Sequence, residues 1–184
     1  YINFDEPFTR FYAHGLVIKD GAKMSKSKGN VVNPDQYIEQ YGADALRLYL
    51  MFMGSFDQGG DFRDTAMEGV HRWVGRVWRL AMVALDQHKA SSTATIRSAL
   101  HKAIKKVGDD LEKRRYNTAI AAMMEFTNLV TKKGSGLKKP QGQTPTKSQT
   151  PLGTEELKTF ILLLAPLAPH LAEELWSQLT TNDK

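Results

Sequence analysis

A chain of 184 residues, 41% of them hydrophobic, holds enough apolar material for one compact core and a small second unit. The absence of cysteine excludes disulfides and thiolate zinc sites, and five scattered histidines show no ligand spacing, so no structural metal is expected. The net charge of +5 traces to residues 132–153, which hold five lysines and no acid; the remaining 162 residues balance 20 basic against 20 acidic side chains, so overall charge says little about a nucleic-acid face.

In chain order, the residues after Pro7 lead into an apolar run, Gly15-Leu16-Val17-Ile18, that predicts a strand over residues 15–19, and Asp20-Gly21 supplies turn chemistry. Lys23-Met24-Ser25-Lys26-Ser27 follows, between Gly21 and Gly29. Two ammonium groups, two hydroxyls and flanking glycines make a mobile cationic loop suited to a polyphosphate, or simply a solvated basic loop.

Asn33-Pro34-Asp35-Gln36 is a strong helix start, with Asn as cap, Pro in the first turn and Gln36 able to close a capping box. That helix stops at Gly42. The next begins near Asp44, and Ala45 to Met53 carries apolar residues on nearly every side, which predicts a helix buried all round. Residues 54–64 read as a glycine-rich break.

From Thr65 the pattern is helical, with Thr65-Ala66-Met67-Glu68 as a candidate capping box. Val70, Trp73, Val74, Val77, Ala81 and Ala84 share one face. Arg72, Arg76 and Arg79 form a stripe elsewhere, which suits an RNA backbone or equally covers apolar surface with its stems. After a turn at Ser91-Ser92-Thr93, Ile96, Leu100, Ile104, Val107 and Leu111 keep helical spacing. Lys113-Arg114-Arg115 precedes a helix bearing Ile120, Met123, Met124, Thr127 and Val130, its methionines read as core filler.

Residues 132–153 are rich in Gly, Pro, Ser, Thr, Gln and Lys, which predicts a flexible linker. Thr154 is read as the cap of a helix with Glu155 and Glu156 in its first turn, ending at Pro166. Pro169 begins the last helix, through Leu171, Leu175 and Leu179, with His170 at the core edge. The longest apolar run, residues 160–172, is broken by two prolines and is too short for a bilayer. The opening Tyr1-Ile2-Asn3 has neither an initiator methionine nor a leader, so no signal peptide, a cytoplasmic location and a piece cut from a longer protein are expected.

Together these elements make a mainly α protein: a short α/β remnant over residues 1–63 carrying the lysine loop, followed by an α-helical bundle over 64–184.

The lysine loop resembles the KMSKS motif of class I aminoacyl-tRNA synthetases at all five positions, extended by Lys28-Gly29-Asn30. Gly42-Ala43-Asp44-Ala45-Leu46-Arg47, Arg76-Val77-Trp78-Arg79-Leu80, Tyr116-Asn117-Thr118-Ala119-Ile120 and the stretch from Leu164 to Trp176 are similar to the leucyl members of that class. The resemblance implies an ATP-dependent leucine–tRNA ligase, with Mg-bound ATP as substrate, leucine and tRNA(Leu) as partners and no membrane attachment. By the motif, Lys26 contacts ATP, Lys23 supports it, Ser25 and Ser27 are auxiliary donors and Met24 anchors the loop. The bundle would be the anticodon-binding-type domain bracing tRNA. No HIGH-type tetrapeptide is found and no editing domain fits, so both are expected upstream of Tyr1 and the piece alone is expected to be inactive. An isoleucyl, valyl or methionyl enzyme, or a noncatalytic RNA-binding helical module, remain the alternatives.

Overall fold

The computed structural model describes residues 3–86, 91–135 and 152–182. Three short strands form a mixed sheet in the order β2-β1-β3, where β1 is Val17–Lys19, β2 Ala22–Lys23 and β3 Gly60–Phe62. β1 and β2 are an antiparallel hairpin pairing Ile18 with Lys23, and its turn needs left-handed backbone at Asp20 and Gly21. β3 runs parallel to β1, pairing Ile18 with Asp61, and it lies within the stretch expected to be a break. Gly60, Asp61 and Phe62, one glycine and one acid among three residues, carry no strand signal; pairing with β1 makes them a strand. The expected strand over 15–19 shortens to Val17–Lys19: ahead of it, Gly15 N–H donates to the Phe56 carbonyl in the loop before β3, and the Leu16 carbonyl accepts the N–H of Gly60, the first residue of β3. There the two segments cross so closely that a Cβ on Gly59 would lie 2.1 Å from the Leu16 oxygen.

Between β1 and β3 run α1 (Pro34–Tyr41) and α2 (Ala43–Phe52). Asn33 caps α1 by accepting the Asp35 N–H. α2 buries Ala45, Leu46, Leu48 and Tyr49, but Leu50 and Phe52 are exposed, so it is not buried all round. Leu50 opens onto a groove of about 520 Å³ that Arg47, Phe56, Tyr116 and Pro166 also line.

The bundle is α3 (Asp64–Asp86), α4 (Ala94–Glu112), α5 (Tyr116–Ser135), α6 (Thr154–Leu164) and α7 (Pro169–Asn182). α3 starts one residue before the expected capping box: the Arg63 carbonyl takes the Ala66 and Met67 N–H groups, so Thr65 already lies inside the helix. Its Met67, Val70, Trp73, Val77, Leu80, Ala81 and Ala84 are buried, the spacing of one face. The Trp73 indole donates to the Thr127 hydroxyl, which itself donates to the Met123 carbonyl, satisfying two polar groups between α3 and α5. Met123 is fully buried and Met124 half-buried.

α5 continues through Ser135, so the predicted linker starts later than residue 132; residues 136–151 lie outside the described residues. At its other end Leu152 is fully buried and Gly153 N–H donates to the buried Ser92 hydroxyl at 2.8 Å. Gly153, not Thr154, occupies the cap of α6, and its carbonyl accepts the Leu157 N–H. Among the described residues no helix is long and apolar enough to cross a membrane.

Candidate functional site

The lysine loop sits at the end of the β1–β2 hairpin. Lys23 is the last residue of β2, and Met24 packs against the hydrophobic core, so the loop is rooted at its second residue. Lys26–Lys28 form one 3-10 turn, capped by the Ser25 hydroxyl, which accepts the Lys28 N–H at 3.3 Å. Gly29 closes the turn at φ 66°, a left-handed conformation that costs glycine little, and donates to the Lys26 carbonyl. The side chains of Ser25 and Ser27 meet at 2.8 Å. Lys23, Lys26, Ser27 and Lys28 are exposed, while Met24 and Ser25 are half-buried. The arrangement presents three ammonium groups to solvent on a compact backbone. Such a surface can gather a polyphosphate, whose charge several donors must share.

Around the loop stands a polar frame. Asn30 is half-buried and its carboxamide reaches back to the loop: Oδ1 accepts the Ser25 N–H at 2.8 Å and Nδ2 donates to the Lys23 carbonyl at 3.2 Å. Asp61 on β3 accepts the Gly21 N–H at 3.4 Å, holding the hairpin turn. At the same turn end of the hairpin, Tyr37 donates to Asp64 at 2.5 Å and Lys19 lies 3.6 Å from the same carboxylate. Burial acts to lower the Lys19 pKa, but Tyr37 and Asp64 outweigh it and hold the ammonium above its ordinary value. Burial, then the bond to Asp64, pushes the Tyr37 hydroxyl up. Lys19 is thus a half-buried, paired cation, unlike the three exposed ones of the loop.

The sequence singled out the five loop positions as candidates, and Asn30 and Asp61 were not among them. Asn30 entered only as part of a motif extension; the signal for its bonding was an amide side chain directly after a loop-closing glycine. Asp61 had no such signal, because its partner is 40 residues away.

The three arginines are not placed alike. Arg72 and Arg79 are exposed on α3, whereas Arg76 is half-buried and its Nε is enclosed without an acceptor among the described residues. They share one helix but not the lysine loop. His170, read as a core-edge residue, is exposed and its Nδ1 lies 2.9 Å from Asp44 Oδ1.

Two family models match separate parts of the chain. Residues 1–63 match the model of class I tRNA synthetases (I, L, M and V), and residues 94–184 match the anticodon-binding domain of tRNA ligases. A leucine–tRNA ligase of Dehalococcoides mccartyi is 43% identical over 180 residues, covering 97% of this chain and 21% of the relative. One from Thermotoga maritima is 42% identical over 190 residues, covering 97% and 22%. The chain therefore spans about a fifth of the length of the curated relatives it matches.

Among solved structures, the ternary complex of Agrobacterium radiobacter K84 agnB2 LeuRS with tRNA and LeuAMS superposes with a TM-score of 0.77 at 34% identity, over 96% of this chain and 23% of that one. The methionyl-tRNA synthetase of Mycobacterium tuberculosis, at TM-score 0.72 and 22% identity over 89% of this chain and 37% of that one, shares the fold. With a catalytic-core segment, a helical anticodon-binding segment and sequence agreement along nearly the whole chain all pointing one way, the chain belongs to the class I aminoacyl-tRNA synthetases, in homology with their leucine–tRNA ligases.

Proposed function

We propose that this chain acts as the lysine-loop and tRNA-bracing portion of a leucine–tRNA ligase, with residues 1–63 completing the catalytic core and residues 64–184 forming the anticodon-binding-type bundle. The reading is carried by the intact loop, Lys23 to Ser27, on a chain 43% identical to a leucine–tRNA ligase. In the first step a leucine carboxylate oxygen bonds to the α-phosphorus of Mg-bound ATP. The bond to the bridging oxygen breaks, and pyrophosphate leaves with the electron pair. In the second, a ribose hydroxyl of tRNA(Leu) attacks the leucyl carbonyl, its proton passes to the departing phosphate oxygen, and AMP leaves.

Negative charge accumulates on the departing pyrophosphate, so an ammonium placed there binds the transition state more strongly than bound ATP. Lys26 is assigned that role and Lys23 supports it; Ser25 and Ser27 act as auxiliary donors, and Met24 holds the loop to the core. Ser25 caps the 3-10 turn as an acceptor, which leaves its own O–H free to donate to a phosphate while the turn stays closed. Arg72 and Arg79, exposed on α3, are assigned to the tRNA backbone, and Arg76 to their support.

The test is Lys26→Ala in the full-length ligase. Leucine-dependent ATP–pyrophosphate exchange should fall on the order of 100-fold, as for loss of one preorganised charge, with little change in leucine binding. Unchanged exchange removes the loop from catalysis.

A further inference from the structure

We infer that Asn30 is a positioning residue for pyrophosphate departure: its carboxamide pins the lysine-loop backbone so that Lys26 is presented in one arrangement. The inference rests on the ligase reading above and deepens it by assigning a residue outside the pentapeptide.

The geometry is specific to a carboxamide. The Ser25 N–H can only donate and the Lys23 carbonyl can only accept, and Asn30 meets both, with Oδ1 at 2.8 Å and Nδ2 at 3.2 Å. An aspartate offers acceptors alone, so it keeps the Ser25 bond, loses the Lys23 bond and sets a negative charge among lysines. An alanine loses both. These two bonds tie the end of β2 to the start of the 3-10 turn from a residue beyond the turn, so the whole segment from Lys23 to Asn30 closes on itself.

The other polar contacts within the loop are weaker restraints. Ser25 to Ser27 and Ser25 to Lys28 are exposed bonds between neighbours, one of them 3.3 Å long, and water competes for each. The Ser25–Asn30 bond, as short at 2.8 Å as that between the two serines, is the partly buried one, while the Asn30–Lys23 bond is exposed. Backbone freedom removed before ATP arrives does not have to be removed during reaction, so the benefit falls on the step in which Lys26 meets growing charge. Asn30 touches no reacting atom and works through Lys26.

Two measurements test this. In the 184-residue chain, amide hydrogen exchange at Ser25 should quicken in Asn30→Ala and stay slow in Asn30→Asp; equal exchange in wild type and Asn30→Ala overturns the clip. In the full-length ligase, Asn30→Ala should lower kcat for pyrophosphate exchange by about tenfold while the KM for leucine stays within about twofold, with Asn30→Asp between it and wild type. The double variant Lys26→Ala/Asn30→Ala should be no slower than Lys26→Ala alone, because one acts through the other. Losses that multiply overturn the inference, as does a rise in leucine KM with kcat unchanged. A fully active Lys26→Ala overturns the ligase role of the loop itself, whereas a fully active Asn30→Ala beside a crippled Lys26→Ala overturns only the role of Asn30.

Discussion

Asp44, at the start of α2, accepts the backbone N–H of Leu171 at 2.6 Å in the first turn of α7, 127 residues further along the chain. One carboxylate in the first turn of its own helix therefore caps another, with its second oxygen 2.9 Å from His170 Nδ1. Arg47, one turn later on α2, donates to the Pro166 carbonyl at the corner between α6 and α7. Both ends of that corner are thus held by α2, which joins the sheet-bearing part to the bundle.

Asp44→Ala should cost about 1–2 kcal/mol, the usual loss on removing a helix cap, because Leu171 N–H loses its acceptor in a half-buried setting. Asp44→Asn keeps an acceptor oxygen and should cost less than half as much. Chemical denaturation of the chain distinguishes the two. Equal stability of Asp44→Ala and wild type would mean that water replaces the carboxylate without loss.

Asp110 on α4 is buried and sits among Lys106, Thr118 and Arg115, the first two hydrogen-bonding Oδ2 and the Arg115 guanidinium lying 2.8 Å from Oδ1. Burial acts to raise its pKa, but the hydrogen bonds from Lys106 and Thr118 and the charges of Lys106 and Arg115 prevail, and it is held below the ordinary carboxylate value. A folded-state pKa below the unfolded one contributes stability that is complete above the ordinary value of about 4 and is lost as pH falls through the folded value. Wild-type stability should therefore drop below about pH 4 more steeply than that of Asp110→Asn. At neutral pH the substitution should cost about 2 kcal/mol, in the range of charge-assisted hydrogen bonds. Parallel acid-unfolding curves for the two proteins would contradict this.

Thr127 joins α3 to α5 through the Trp73 indole, which it accepts at 3.3 Å inside the core. Thr127→Val keeps the shape and removes the acceptor, so the indole N–H is left unsatisfied at a cost of about 1–3 kcal/mol. Trp73→Phe in the Thr127→Val background removes the orphaned donor, and the coupling between the two changes should be favourable. A double-mutant cycle on denaturation midpoints measures it.

What the sequence made legible follows from where the information is local. Periodic burial along α3 could be read from Val70, Trp73 and Val77, because a helix repeats its face every three or four residues. The Asn33 cap and the proline after it could be read for the same reason. β3 could not, since Gly60 to Phe62 are a strand only through pairing with β1 more than 40 residues earlier. The exposure of Leu50 and Phe52 was equally hidden: composition says how apolar a helix is, and only tertiary packing says which sides are covered. In the site, the lysines and serines were legible by type and order, while the Asn30 clip needed coordinates to show that one amide spans Lys23 and Ser25.

The arginines of α3 give the last prediction. Arg72 and Arg79 are exposed and seven positions apart, close to two helical turns, so they lie about 10 Å apart along one face and can meet separate phosphates. Arg76 lies between them with its Nε enclosed, so its substitution would disturb packing as well as charge. The informative variants are therefore Arg72→Gln and Arg79→Gln in the full-length ligase. Each should weaken tRNA(Leu) binding and lower the slope of log K against log salt by about 0.9 for every duplex phosphate no longer neutralised. Leucine-dependent pyrophosphate exchange without tRNA should be unchanged, because neither side chain shares the lysine loop. If binding and slope both stay at wild-type values, these arginines are solvated surface, and the tRNA-facing side must be sought on another helix.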